Sequence, residues 1–258
     1  MSGFEFLAPD AVAADGRFAP VARSPMERAA RAAGARFEVR DGWNVAVAYA
    51  SPEQEREACR RAAGWADVSQ LGKLELHATA ADDLRAVVGQ AGGGASLELG
   101  TATRAWDAWW LPLTAERALV VCEPGAVAAL REALEEAASA ASGTVSVVDA
   151  TCKHAALTLL GPLARDVFAR FSAIDLRPRV MPVGAFRPGS IARTPGMVVR
   201  EGEDRFLLLF GWALGAYLWE TVADAAGHLG GSPVGADAVG ALALAGAGAS
   251  VREEAGRA

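Results

Sequence analysis

Hydrophobic and polar positions along this chain alternate between period two and a period near 3.6, and the switches fall at turn residues. Ser24-Pro25-Met26-Glu27 has the form of a capping box with proline at the first helical position. It predicts a helix to about Ala33 that stops at Gly34. Arg36 to Arg40 and Trp43 to Tyr49 both alternate across Asp41-Gly42, which reads as a hairpin. Ser51-Pro52-Glu53-Gln54 repeats the capping device and opens a helix that ends before Gly64. In Lys73-Leu74-Glu75-Leu76 the leucines take one face of a strand, with Lys73 and Glu75 on the other. A helix over Ala81 to Val88 follows, with Asp82 and Asp83 in its first turn.

The second half repeats this logic. Gln90 to Ser96 is glycine-dense and reads as a loop, followed by strands at Ala108 to Leu113 and Arg117 to Cys122. A long helix from about Gly125 to Ala140 carries Leu130 and Leu134 on one face. Strands are expected at Thr144 to Asp149 and Ala155 to Leu160, and a helix from Gly161-Pro162 to Phe171. Proline punctuates Ser172 to Pro195 and leaves no clear period. Met197 to Arg200 and Arg205 to Phe210 form a hairpin, and a helix runs from about Ala213 to His228. A weak internal repeat is visible: Asp67…Leu74-x-Leu76 and the helix holding Leu84 recur as Asp149…Leu157-x-Leu159 and the helix holding Val167. Strand-to-helix units flanked by hairpins point to an α+β architecture of two split β-α-β layers.

Composition narrows the function. A chain of 258 residues has ample core for one large domain or two interleaved ones. Its formal charge of −6 argues against nonspecific nucleic-acid binding, which needs basic surface. The longest apolar run, Val239 to Ala249, is too short to span a bilayer, so no membrane partner is expected. Cys59, Cys122 and Cys152 are odd in number and lack CxxC spacing, the pattern of reduced thiols in a cytoplasmic protein. His77, His154 and His228 have no metal-ligand spacing, and Gly92-Gly93-Gly94 fits neither GxGxxG nor a P-loop.

Four segments, in order, resemble the aminomethyltransferase (glycine-cleavage T-protein) superfamily over roughly Ser24 to Gly246. They are the block Ser24-Pro25, Gly34-Ala35 and Gly42-Trp43; Asp67-Val68-Ser69 with Leu71-Gly72-Lys73-Leu74; Leu157 to Pro162; and Arg200-Glu201-Gly202-Glu203-Asp204. The last is similar to the family's Y-T-G-E-D hairpin, with Arg200 and Glu201 in place of tyrosine and threonine. Ala241 to Gly246 stands where the family has LRLEAG. The resemblance implies two interleaved ferredoxin-like layers without the C-terminal barrel domain, and a size closest to the sarcosine oxidase gamma subunit. On that basis residues 1–23 are an N-terminal arm, and residues 24–50 with 144–247 make a first folate-binding-type layer. Residues 51–143 make the second layer, and 248–258 a tail.

The same resemblance implies a tetrahydrofolate-binding protein of one-carbon metabolism. It also leaves open a noncatalytic gamma-type subunit with sarcosine oxidase-type partners, or a repurposed biosynthetic enzyme with another small molecule in the same channel. Carried over, the pterin-recognising glutamate falls on Glu203 and the catalytic carboxylate, approximately, on Asp107. Asp107 stands among Trp106, Trp109 and Trp110, where burial would raise its pKa. Period two puts Trp106 and Trp110 on one face and Trp109 on the other, so Trp109 and Trp110 are candidates to stack a pterin or meet a partner. Arg200 is a candidate for a folate or partner carboxylate.

Overall fold

Two strands of the repeat sit at the centre of two sheets, and everything else is arranged around them. The computed structural model describes residues 20–242. A small sheet of β1 (Ala22–Arg23), β2 (Arg36–Arg40) and β3 (Trp43–Ala48) flanks helix α1 (Glu27–Ala32), with order β1-β3-β2. Asp41 and Gly42 both have positive φ (48° and 77°), the geometry of the tight hairpin expected there. Helix α2 (Pro52–Arg61) carries the anticipated capping box: Gln54 N–H donates to Ser51 Oγ, and the Ser51 N–H to the Gln54 side chain.

Strands β4 (Gly64–Asp67), β10 (His154–Leu160), β11 (Phe186–Ile191), β12 (Thr194–Gly202), β13 (Arg205–Gly211) and β14 (Ser232–Pro233) form a six-stranded sheet of order β11-β12-β13-β10-β4-β14. Strands β5 (Gly72–Ala78), β6 (Thr103–Ala105), β7 (Ala108–Thr114), β8 (Arg117–Cys122) and β9 (Val145–Asp149) form a five-stranded sheet of order β6-β7-β8-β5-β9. The sheets pack face to face through Val68, Leu111, Leu119, Val121, Phe186, Val199, Leu207 and Leu209. Helices α3 (Ala81–Ala91) and α4 (Val127–Ser139) cover the outer face of the smaller sheet, where Leu74, Leu76, Leu84, Leu130 and Leu134 are buried. Helices α5 (Ala164–Ala169) and α6 (Gly215–Gly227) cover the larger one over Leu157, Leu159, Val167, Phe168 and Leu218. The result is the expected α+β fold, in four layers.

The chain crosses between sheets twice. Each crossing begins with an aspartate whose carboxylate accepts the N–H two residues on: Ser69 to Asp67 and Thr151 to Asp149, both at 2.9 Å. The hydroxyls then tie each crossing to the other's strand. Ala156 N–H donates to Ser69 Oγ at 3.1 Å, and Lys73 N–H donates to Thr151 Oγ1 at 3.1 Å. The weak repeat is therefore an approximate two-fold relation about the crossings.

That exchange moves the layer boundaries. Strand β4 belongs to the six-stranded sheet although it lies within residues 51–143, and β9 belongs to the five-stranded sheet although it lies within 144–247. The six-stranded sheet takes the inner strand β4, and the five-stranded sheet the edge strand β9, from the other half of the sequence. The arm expected at 1–23 falls mostly outside the described residues, as do the 248–258 tail and most of Ala241 to Gly246.

Candidate ligand-binding seam

Strand parity sorts the five anticipated site residues onto different faces. On β7, Ala108 and Trp110 point to α3 and α4, so Trp110 is fully buried and its indole N–H donates to Ala105 O at 3.1 Å. It offers no face to a ligand, which corrects the expectation for this residue. Trp109 points the other way, into the seam between the sheets. On β12, Arg200 sits opposite Phe206 on the helix-covered face, with its guanidinium over the Phe206 ring. Its N–H groups donate to Met181 O (2.8 Å), Glu203 O (2.7 Å) and Gly202 O (3.2 Å). Arg200 is buried and committed to backbone carbonyls, so the expectation of a carboxylate partner is also corrected.

Asp107 and Glu203 are both exposed, at the tips of the β6–β7 and β12–β13 hairpins. Asp107 and Trp106 occupy the two left-handed positions of their turn (φ 53° and 54°), and solvent covers the carboxylate that the surrounding tryptophans were expected to bury.

A residue not singled out joins these hairpins. The register of β12 shifts between Arg200 and Gly202, and this bulge turns Glu201 into the seam. Trp109 Nε1–H donates to Glu201 Oε1 at 2.8 Å, and Arg205 Nε–H donates to Oε2 at 3.0 Å. The Arg104 guanidinium lies over the Trp109 ring at 5.4 Å. The mostly buried carboxylate thus has an indole on one side and a guanidinium on the other. Asp107 and Glu203 each lie two residues along the chain from this contact.

The far side of the seam holds a second set of buried charges. Lys73 is 0% exposed, and its ammonium donates to Ser69 O at 2.7 Å. Burial pushes its pKa down to about 8, with Asp67 the foremost anion opposing that fall. Burial pushes the Asp67 carboxyl up against the hydrogen bonds from Ser24 and Ser69. Glu75, two residues on, is nearly buried and bonded by Arg117, Lys153 and, at 3.0 Å, His77. Its burial raises the pKa, but the bonds from Lys153 and Arg117 outweigh that and bring it down to about 2. Beside this crossing lies a cleft of about 470 Å³ lined by Trp43, Gln70, Gly72, Asp149, Thr151 and Cys152, among others.

Lys73 and Glu75 share the face opposite Leu74 and Leu76, as the alternation of β5 predicts, and both faces are buried between helices and sheet over Gly72 to Leu76. The available signal was its repeat partner Leu157 to Leu160, which apart from Thr158 is apolar on both faces and is buried throughout. Among the described residues there is no cluster of metal-ligating side chains and no helix long and apolar enough to cross a membrane.

The GCVT N-terminal domain family matches residues 99–256, more than half of the sequence. The chain belongs to that family. Members similar to it include the aminomethyltransferase of Mycobacterium avium (strain 104), 29% identical over 231 residues, covering 84% of this chain and 60% of that protein. The probable aminomethyltransferase of Aeropyrum pernix is 29% identical over 203 residues, covering 74% and 54%. The same fold appears in the glycine cleavage system aminomethyltransferase T from Bartonella henselae, with TM-score 0.70, 19% identity and coverage of 84% and 60%. It also appears in a chain of the heterotetrameric sarcosine oxidase from Corynebacterium sp. U-96, with TM-score 0.60, 22% identity and coverage of 70% and 96%. This GCVT-family chain spans about 60% of the length of the first of these aminomethyltransferases. The family resemblance read from the ordered motifs is thereby established, together with its fold.

Proposed function

We propose that this GCVT-family chain binds a reduced folate at the seam, on the side of Trp109 and Glu201, and serves one-carbon metabolism. The observation that carries the reading is the Trp109–Glu201–Arg205 contact with Arg104 above the indole. A pterin is flat, presents amide and amino N–H donors along one edge, and carries a glutamate tail. A seam carboxylate accepts such donors, an indole stacks the ring, and arginines take the tail carboxylates. Glu201 uses two of its roughly four acceptor directions on Trp109 and Arg205, so it keeps capacity for ligand N–H groups. These residues fit the group. Tetrahydrofolate, when bound, supplies the ring nitrogens that carry a one-carbon unit. Glu201 would fix the ring's orientation, Trp109 its plane, and Asp107 and Glu203 would bring negative charge to the rim.

The test is a calorimetric titration with 5-formyltetrahydrofolate of the wild type, Glu201→Gln and Glu203→Ala. Micromolar binding is expected, weakened at least tenfold by Glu201→Gln, a loss of about 1.4 kcal/mol. Silence in the wild type, or equal affinity in Glu201→Gln, defeats the proposal.

A second reading, a noncatalytic subunit of a sarcosine oxidase-type assembly, is supported by the fold shared with a chain of the heterotetrameric sarcosine oxidase. It predicts that the protein isolated from its own cells elutes in a heteromeric complex.

A further inference from the structure

We propose that β9 is a dimerisation edge, along which two copies of this chain join their five-stranded sheets antiparallel about a two-fold axis at Val147. Among the described residues the other sheet edges are all closed to pairing. β1 and β14 are two residues long, and β6 only three. β2 carries Arg36, Glu38 and Arg40, and β11 carries Pro188 and Gly189. Short, charged or proline-bearing edges discourage pairing with another chain. β9, which reads Val145-Ser146-Val147-Val148-Asp149, has none of these devices. It holds no proline or basic residue, its one charge stands at its end, and its register with β5 runs without a bulge. Its Val148 is 48% exposed.

The backbone fixes the register. Thr79 N–H donates to Thr144 O and Ala150 N–H to Lys73 O, so the even-numbered residues of β9 turn their N–H and C=O groups toward β5. Those of Val145, Val147 and Asp149 point outward, with no strand beside them among the described residues. Setting Val147 opposite Val147 of a second copy brings Val145 to Asp149 and Asp149 to Val145. Each of these facing pairs then exchanges both of its hydrogen bonds. A shift of two residues either way leaves Val145 or Asp149 without a β9 partner.

Side chains agree with this pairing. On the open face Val148 stands opposite the second copy's Ser146, and the two Val148 side chains meet diagonally across the axis. The two Asp149 carboxylates are four residues apart, about 13 Å along the strand and beyond a screening length of about 10 Å. Lys153 is tied to Glu75, and Asp83, beside the start of the strand, accepts the Gly143 N–H at 3.0 Å. Helix α4 lies over β9 and presents the exposed pair Arg131–Glu135, bonded at 2.7 Å. Glu135 first, and Asp149 beyond it, raise the Arg131 pKa, which puts this pair on the β9 side of the helix. The two-fold axis sets α4 antiparallel to its copy, so Arg131 faces the second copy's Glu135, and Glu135 its Arg131. Glu132 and Glu136 lie about 100° further round the helix, toward solvent. The edge is therefore complementary to itself in hydrogen bonds and in charge.

The inference is independent of folate binding and of the sarcosine oxidase-type reading. The experiment is sedimentation velocity of the full chain across micromolar concentrations. It compares wild type, Val148→Lys, Glu135→Arg, the double variant Arg131→Glu/Glu135→Arg, and Tyr217→Asp on helix α6 as a distant control. Wild type and Tyr217→Asp should sediment as dimers. Val148→Lys sets two ammonium groups diagonally across the axis, and Glu135→Arg sets arginine against arginine, so each should weaken the dimer at least tenfold. The double variant restores opposite charges and should recover it. Val148 and Glu135 are both exposed, so these changes test the edge without disturbing the core. A wild type that stays monomeric at every concentration overturns the proposal. So does a dimer indifferent to both single variants, or one that the double variant fails to recover.

Discussion

Lys73 sits in surroundings that oppose its charge. Its folded pKa of about 8 lies below the ordinary 10.5, so charging it is harder in the folded state than in the unfolded one. That cost is fully present below pH 8 and is relieved as the pH rises from about 8 toward 10.5. The shift corresponds to about 3 kcal/mol at most. Urea unfolding at pH 7.5, 9 and 10.5 should therefore show wild type gaining on Lys73→Met as pH rises; a constant difference would refute it. Glu75 behaves oppositely. Its depressed pKa gives a contribution present above about pH 4.5 and lost as pH falls toward 2. Arg117 and Lys153 are half-exposed and can rehydrate, so Glu75→Gln should cost only about 1–2 kcal/mol at pH 7. The two variants should accordingly converge with wild type at opposite ends of the pH scale.

Among the elements, the β6–β7 hairpin carries the clearest conflict between sequence and backbone. Trp106 and Asp107 both have φ near +54° where Asn-Gly would sit without strain, and Trp106 is 65% exposed with its indole laid on Gly93. Replacing the pair by Asn-Gly should raise stability by about 1–2 kcal/mol, seen as a higher Tm. A lower Tm would mean that the Trp106–Gly93 contact outweighs the strain. Other elements were legible because local chemistry fixes them. Asp41-Gly42 turns its hairpin, and Ser51 with Gln54 caps α2. At Ser24 the expected capping box does not form: helix α1 begins only at Glu27 with no side-chain cap, Ser24 Oγ accepts from Met26 N–H, and Glu27 turns to Arg23 and Arg31 at 2.8 and 2.9 Å. Strand β11 was hidden because it holds Pro188 and Gly189, which an edge strand tolerates and a central one does not. The site was legible only in part. The motif pointed to Glu203, whereas a bulge, which no periodicity announces, turns Glu201 into the seam.

At the scale of the molecule, the exchange of β4 and β9 makes the two layers one cooperative unit. Residues 51–143 alone would leave β4 without β10 and β5 without β9. We expect that fragment to show no cooperative thermal transition by circular dichroism, and the whole chain to show a single one. Separate transitions for two halves would contradict the exchanged topology. The sequence repeat revealed that two similar units exist; it could not reveal that each completes the other's sheet, because pairing partners are set by contacts far apart along the chain.

The two crossings also make the seam mechanically lopsided. Along β5 and β10 the sheets are joined by the chain itself and by the reciprocal Ser69 and Thr151 bonds, like the spine of a book. Along the opposite margin no chain crosses, and they are held by the Trp109–Glu201 bond and by backbone bonds between residues 100–102 and 184–186, like a clasp on the fore-edge. Compliance is therefore concentrated at one margin. Anything that wedges between the sheets meets noncovalent resistance there and covalent resistance opposite, so the leaves would part by pivoting about the spine.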